Sequence, residues 1–189
     1  MSVRIAEVGL RSVSPYSQSK YYKVPKLPGE SLDDFEERTW RERFHVNSDG
    51  FIFIPPMQFK NALSRASEYH TIKIPGKGNQ TFTKHIKAGI MVTEGIILPN
   101  RKEDLKFEWL MVPADCKRGG TSRVPRCFGI IPNWSGTVEY IVTDDDITEE
   151  ILKQYISDSG QFIGIGRFRT INEGMYGKFE IISFQMHTM

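Results

Sequence analysis

The sequence predicts an α+β fold in which two amphipathic helices alternate with four strands, interrupted by two large insertions. Apolar residues recur at helical intervals in two segments, and runs of β-branched and aromatic residues bounded by Gly and Pro lie around them. The chain has 189 residues, 39% of them hydrophobic, which suits one well-packed domain and is too short for two ordinary ones. We therefore expect a single domain over residues 1–189.

The first half of the chain predicts one strand, one insertion and one helix. Residues 3–10 (VRIAEVGL) read as a strand, whereas residues 11–50 have no clean period and are taken as the first insertion. Pro55 and Pro56 then precede apolar residues at helical spacing as far as Tyr69. This pattern predicts a helix that begins with proline in its first turn.

The second half predicts three core strands and a second helix. Residues 88–98, 137–142 and 178–186 are the strand candidates, and residues 99–135 form the second insertion, with a further strand at 107–112. Asp146 and Glu149 have the spacing of a capping box, which predicts a helix that ends at Gly160.

Without the insertions the predicted order is strand, helix, strand, strand, helix, strand. This is the order of a ferredoxin-like (RRM-like) βαββαβ core.

Charge is unevenly distributed along the chain, although the net charge is only +2. Residues 71–93 and 116–138 contain no acid, whereas acids gather at 30–42 and 144–150. A phosphate backbone needs a basic surface without interleaved carboxylates, so the two acid-free windows favour a polyanionic partner. The candidate binding residues in these windows are Lys73, Lys77, Lys84, His85, Lys117, Arg118, Arg123 and Arg126.

Sequence signatures of catalysis and cofactor binding are absent. The sequence has no phosphate-binding G-x-x-x-x-G-K-[ST] loop and no G-x-S-x-G elbow, and its four histidines lack the spacing of metal ligands. We expect no cofactor, no resident metal and no catalytic residue. The sequence also lacks a run of about 18 apolar residues and a signal peptide pattern, so we expect a cytoplasmic protein without a membrane partner.

A glycine-rich loop precedes the last strand. Glycines at 160, 164, 166, 174 and 177 alternate with arginines and aromatic residues. Glycine allows close backbone approach, arginine contacts phosphate and aromatic rings stack on bases, so the composition suits single-stranded nucleic acid. The alternative is that the aromatic residues fill the core.

Two motifs resemble the RAMP superfamily, notably the backbone subunits of CRISPR effector complexes. The run IPPMQFKNALSRA (54–66) resembles the turn and first helix of that family, and SGQFIGIGRFR (159–169) resembles its C-terminal glycine-rich loop. Met57, Gln58 and Asn61 depart from the small residues of the family pattern. The resemblance implies contacts with a guide RNA from Gln58, Lys60, Asn61, Gly164, Gly166, Arg167 and Arg169. It also implies a thumb from residues 113–135, and self-association or other RAMP-type subunits as partners.

Three hypotheses for function follow. The preferred one is a non-catalytic protein that binds single-stranded RNA or DNA and assembles along the strand. The second is a mimic or inhibitor of a CRISPR complex whose acidic segments, 30–37 and 144–150, face a basic partner. The third is a RAMP-type endoribonuclease that uses His45, His85 or the pair Asp33 and Asp34.

Overall fold

The computed structural model describes residues 2–114 and 122–189, which form an α+β structure with antiparallel sheets. The α+β class that the sequence predicts is thus confirmed. The strands are β1 (Arg4–Ser12), β2 (Phe53–Ile54), β3 (Ile90–Val92), β4 (Ile96–Ile97), β5 (Lys106–Pro113), β6 (Arg123–Ile130), β7 (Ser135–Val142) and β8 (Phe179–Thr188). The helices are α1 (Leu32–Thr39), α2 (Pro56–Tyr69), α3 (Thr83–Gly89) and α4 (Glu149–Asp158).

The main sheet has four strands in the order β3-β7-β1-β8, and every neighbouring pair is antiparallel. Two smaller antiparallel sheets pair β2 with β4 and β5 with β6. Alternate residues of β1 and β7, such as Val8 and Val138, are buried in the core, where they join apolar residues of α2 and α4. This packing places the helices on one face of the main sheet and leaves its other face open.

The segment 88–98 is not one strand, and here the sequence prediction is wrong. It contains the end of α3, then β3, then β4, which pairs with β2 outside the main sheet. Ile90 begins β3 in the main sheet, whereas Ile96 of β4 pairs with Ile54 of β2, so the apolar residues of this run belong to different elements.

Helix α4 begins and ends at other residues than predicted. The hydroxyl of Thr148 accepts a hydrogen bond from the backbone N–H of Ile151, so Thr148 and not Asp146 is the N-cap. A turn with π-helical bonding (Ser159–Ile163) follows and passes through Gly160. The chain leaves this turn at Gly164, whose φ of 74° lies in the left-handed region that glycine adopts readily.

Both insertions contain regular structure. The first contains α1, which begins with a capping box between Ser31 and Asp34. The second contains the antiparallel pair of β5 and β6, and the described part of the predicted thumb, residues 113–135, contains β6. Lys117 and Arg118, predicted to bind nucleic acid, lie outside the described residues.

A buried carboxylate joins the two insertions. Glu36 of α1 is only 1% exposed, and its oxygens accept hydrogen bonds from Arg43 (2.8 Å), Arg126 (2.5 Å) and the backbone N–H of Cys127 (3.1 Å). Arg43 also donates to the carbonyl of Cys127. Because a buried carboxylate must be paired, this cluster holds α1 against β6.

In the described ranges, no helix combines the length and apolarity that crossing a lipid bilayer demands.

Candidate nucleic-acid interface

An extended segment after β1 forms one wall of the candidate site. Gln18 is buried, donates to the carbonyl of Phe53 (2.7 Å) and accepts from the backbone N–H of His45 (2.7 Å). Ser17 donates to the carbonyl of Gly129 (3.0 Å). These anchors fix the backbone just before residue 19, and the backbone N–H of Lys20 donates to the carbonyl of Arg43 (2.8 Å) just after it, so the residues that follow are presented at a defined place on the surface.

A cavity of about 340 Å³, which we call the basic cleft, lies between this segment, β6 and the glycine-rich loop. It is lined by Ser19, Lys20, Tyr21, Tyr22, Arg43, Val112, Arg126, Phe128 and Arg167. Four of the nine lining residues are cationic and three are aromatic. This combination is typical of surfaces that contact a phosphate backbone and stack on bases.

Phe128 organises the cations of the cleft. The guanidinium of Arg167 lies 4.6 Å from the ring centroid of Phe128, and that of Arg43 lies 4.9 Å from it. Arg167 also donates from Nη1 to the hydroxyl of Ser19 (2.8 Å) and from its backbone N–H to the carbonyl of Ser17 (2.9 Å). The cation–π contacts help to hold both guanidinium groups in place.

The side chains that the cleft exposes to solvent are not those packed on Phe128. Tyr21 is 85% exposed, Lys20 is also exposed, and the side chain of Arg126 is 38% exposed despite its bond to Glu36. A free phenol ring beside cations can stack on a base, whereas the buried Phe128 cannot.

Of the residues predicted from the sequence, the structure brings Arg126 and Arg167 together in the cleft. Arg123 lies at the exposed start of β6 and donates to the carbonyl of Met111. Arg169 is half-buried, and its pKa is lowered by this burial and by the nearby charge of Arg65.

The glycines of the loop approach the chain itself. A Cβ at Gly166 would lie 2.4 Å from the carbonyl oxygen of Ser17 and 2.6 Å from the ring of Tyr16. Gly164 is buried, and a Cβ at this position would lie 3.1 Å from the carbonyl oxygen of Tyr176. Gly166 therefore lets the loop pack on the segment after β1, which places Arg167, whereas Gly164 lets the loop fold back on its own residues.

Three residues at the start of α2 were predicted to contact RNA, and two of them, Gln58 and Lys60, instead bond to other parts of the chain. Gln58 accepts a hydrogen bond from the buried Tyr16 hydroxyl (2.8 Å). Lys60 donates to the carbonyls of Ile86 (2.8 Å) and Lys87 (2.9 Å) at the end of α3, and burial lowers its pKa to about 8. Asn61 is exposed.

The first acid-free window meets acids from elsewhere in the chain. Lys77 pairs with Asp146 (2.5 Å), His85 pairs with Asp144 (2.7 Å), and Lys87 pairs with Glu68. Lys73 bonds to Asn79, and Lys84 is exposed. The window is therefore less basic in three dimensions than in sequence, and the basic cleft is the stronger candidate.

The candidate nuclease residues do not form one site. Asp34 caps α1 and Asp33 occupies its first turn, as expected for acids at a helix N-terminus. His45 packs edge-on against Phe53, and burial lowers its pKa. Only His85 lies beside further carboxylates, those of Asp144 and Asp146.

The open face of the main sheet has the wrong charge for nucleic acid. Glu7 of β1 lies directly opposite Glu139 of β7, and both are exposed. Directly opposite side chains share a face of the sheet, so the two carboxylates together make this face negatively charged. A phosphate backbone would be repelled from this surface.

Sequence reasoning missed Lys20, Tyr21 and Tyr22. They lie in the segment treated as a structureless insertion, although the sequence K-Y-Y-K at 20–23 places two aromatic residues between two cations. That local pattern was the available signal.

No family model matches the sequence, and no curated protein does. Among solved structures, the chain is similar to one chain in a cryo-EM structure of the Type III-B Cmr-beta bound to cognate target RNA, with a TM-score of 0.50 and 13% identity. The match covers 99% of this chain and 61% of that chain, so this chain spans less than two thirds of its length. It is also similar to Cmr6 from Pyrococcus furiosus, with a TM-score of 0.49, 13% identity, and coverage of 96% of this chain and 99% of that one. At 13% identity the likeness to the Cmr-beta chain is one of fold, and it agrees with the resemblance stated from the sequence.

Proposed function

We propose that this chain is a non-catalytic subunit of a CRISPR effector complex and that it binds single-stranded RNA through the basic cleft. The observation that carries the proposal is the cleft itself, where Lys20, Arg126 and Arg167 surround an exposed tyrosine. Cations supply salt-dependent affinity for phosphates, and the ring of Tyr21 supplies stacking that tolerates any base.

A binding role without cleavage is supported by the chemistry of the lining. None of the described residues that line the cleft is His, Asp, Glu or Cys, so none is an ordinary general base at neutral pH. RNA recovered from the complex should therefore be intact on a denaturing gel.

We also propose that β1, α2, β3, β7, α4 and β8 form a ferredoxin-like core. The antiparallel order β3-β7-β1-β8 and the contact between α2 and α4 support this assignment. The acidic open face of the sheet favours RNA binding at the loops and not on the sheet, in contrast to RRM domains. Further RAMP-type subunits, including copies of this chain, are the proposed protein partners.

The test is fluorescence anisotropy of labelled single-stranded RNA, single-stranded DNA and duplex DNA with the purified protein at several salt concentrations. RNA binding should weaken in Lys20→Ala and in Arg167→Ala, and each lost phosphate contact should reduce the slope of log K against log salt by about 0.7.

Lys73→Ala is the matched control, because Lys73 is an exposed lysine in the first acid-free window and does not line the cleft. Unchanged RNA affinity in both cleft variants would refute the proposed site. A loss confined to Lys73→Ala would place the interface in residues 71–93. Tighter binding of single-stranded DNA than of RNA would refute the assignment of RNA as the ligand.

A further inference from the structure

A mixed cluster of one histidine and two aspartates lies away from the basic cleft. His85 belongs to α3, and Asp144 and Asp146 belong to the loop between β7 and α4. One ligand atom from each of the three side chains lies within 4.8 Å of the other two. His85 Nδ1 is 2.7 Å from Asp144 Oδ2 and 3.6 Å from Asp146 Oδ2, so this nitrogen faces both carboxylates.

The backbone around Asp144 is fixed by contacts that do not involve the three side chains. Arg4 donates to the carbonyl of Asp144 (2.7 Å), and the N–H of Thr143 donates to the carbonyl of Gly89 (2.9 Å). A Cβ at Gly89 would lie 2.5 Å from the Cβ of Asp144, so only glycine allows α3 this close to the loop. The separation of the histidine from the carboxylates is thereby set by the fold.

A cation already occupies one corner of the cluster. The ammonium of Lys77 lies 2.5 Å from Asp146 Oδ2. The same lysine and His85 line a cavity of about 700 Å³, so the cluster borders a space accessible to solvent. Small ligands or water could therefore reach an ion bound here.

We propose that His85, Asp144 and Asp146 bind a divalent transition-metal ion, with Zn²⁺ as the best match. One imidazole and two carboxylates are three protein ligands, and a zinc site with three protein ligands keeps a position for water or another small ligand. Imidazole disfavours Mg²⁺ and Ca²⁺, which prefer oxygen ligands. Two carboxylates balance the charge of the ion, which displaces the ammonium of Lys77.

A second His–Asp pair in the chain provides a matched control. His70 Nδ1 lies 2.8 Å from Asp158 Oδ2, but the other oxygen of Asp158 accepts from Gln154 (2.9 Å). Within residues 2–114 and 122–189, no third ligand joins this pair to make a metal group. It is therefore expected to be structural.

The experiment is isothermal titration of the metal-free full chain with Zn²⁺ and, separately, with Mg²⁺. One Zn²⁺ ion should bind per chain, and Asp144→Asn and Asp146→Asn should each weaken Zn²⁺ affinity by a factor on the order of 100, at least the loss seen when a supporting residue of a metal site is removed. Lys77→Ala should tighten Zn²⁺ binding, because it removes the competing ammonium, and His70→Ala should leave it unchanged.

Tighter Zn²⁺ binding by Lys77→Ala cannot result from misfolding, because a gain of affinity requires a folded site. Circular dichroism shows whether the two aspartate variants are folded. Zn²⁺ affinity that is unchanged in both aspartate variants would overturn the proposal, as would binding of Mg²⁺ but not Zn²⁺, or no binding of either ion. RNA binding is measured separately, so the outcome here is independent of the proposed function.

Discussion

Replacing Glu36 by alanine should destabilise the chain severely, because the carboxylate is buried and serves two arginines. Its side chain is 2% exposed, and those of Arg43 and Arg126 are 10% and 38% exposed. The substitution leaves the guanidinium of Arg43 buried without its anionic partner and the backbone N–H of Cys127 without its acceptor.

Breaking a buried ion pair by removing one partner costs about 3–5 kcal/mol. For a domain of this size, each kcal/mol lowers the melting temperature by about 2–4 °C, so a fall of about 6–20 °C is expected.

Thermal unfolding followed by circular dichroism, at one ionic strength for all variants, measures this effect. Glu180→Ala is the matched control, since Glu180 pairs with Arg11 on the surface, where the two side chains are 47% and 61% exposed. An exposed pair contributes about 0–1 kcal/mol, so this variant should melt close to the wild type. If Glu36→Ala melted within about 2 °C of Glu180→Ala, which is less than about 1 kcal/mol, the cluster would not hold α1 against β6.

Three further predictions follow from local geometry. Gly166→Ala should lower the melting temperature more than Gly76→Ala, because both glycines have a φ near 75° but only the first has backbone and ring atoms within 3 Å of the added Cβ; equal shifts would argue against close packing of the loop on Ser17. In the wild type, burial lowers the pKa of Lys60 to about 8, whereas the unfolded chain keeps this group protonated up to about 10.5. The unfolded chain therefore binds more protons between these pH values, and the free energy of unfolding of the wild type rises with pH there. Lys60→Met should remove this rise. Urea unfolding of wild type and variant at pH 7.5, 9 and 10 tests this, and parallel pH profiles would contradict it. Tyr21→Ala should weaken RNA binding by about 1–3 kcal/mol in anisotropy measurements while leaving the melting temperature almost unchanged, because the ring is 85% exposed; RNA affinity equal to that of the wild type would exclude stacking at this ring.

Much of the fold could be predicted from local patterns. The strand at 3–10, the proline-initiated helix and the last strand all lie close to where their periodicities placed them, because each buries one face against the same core. The segment 88–98 could not be predicted in this way. Its apolar residues serve α3, β3 and β4 in turn, and no single period describes them.

The candidate cleft was predicted only in part. Arg126 and Arg167 were selected from charge and aromatic content, but their meeting around Phe128 depends on β6, the glycine-rich loop and the segment after β1, which are far apart in the chain. Lys20 and Tyr21 were missed because they follow no period and lie in an insertion.

The sequence by itself determined the α+β class, the positions of most core elements and the resemblance to RAMP-type subunits, because apolar periodicity, turn residues and short motifs are local properties. Only the tertiary structure decided which charges act together. The acid-free window at 71–93 faces Asp144 and Asp146, Glu36 is buried between two arginines, and the open sheet face is acidic at Glu7 and Glu139. The physical reason is that electrostatic interaction depends on distance in space and on burial, and neither follows from separation along the chain.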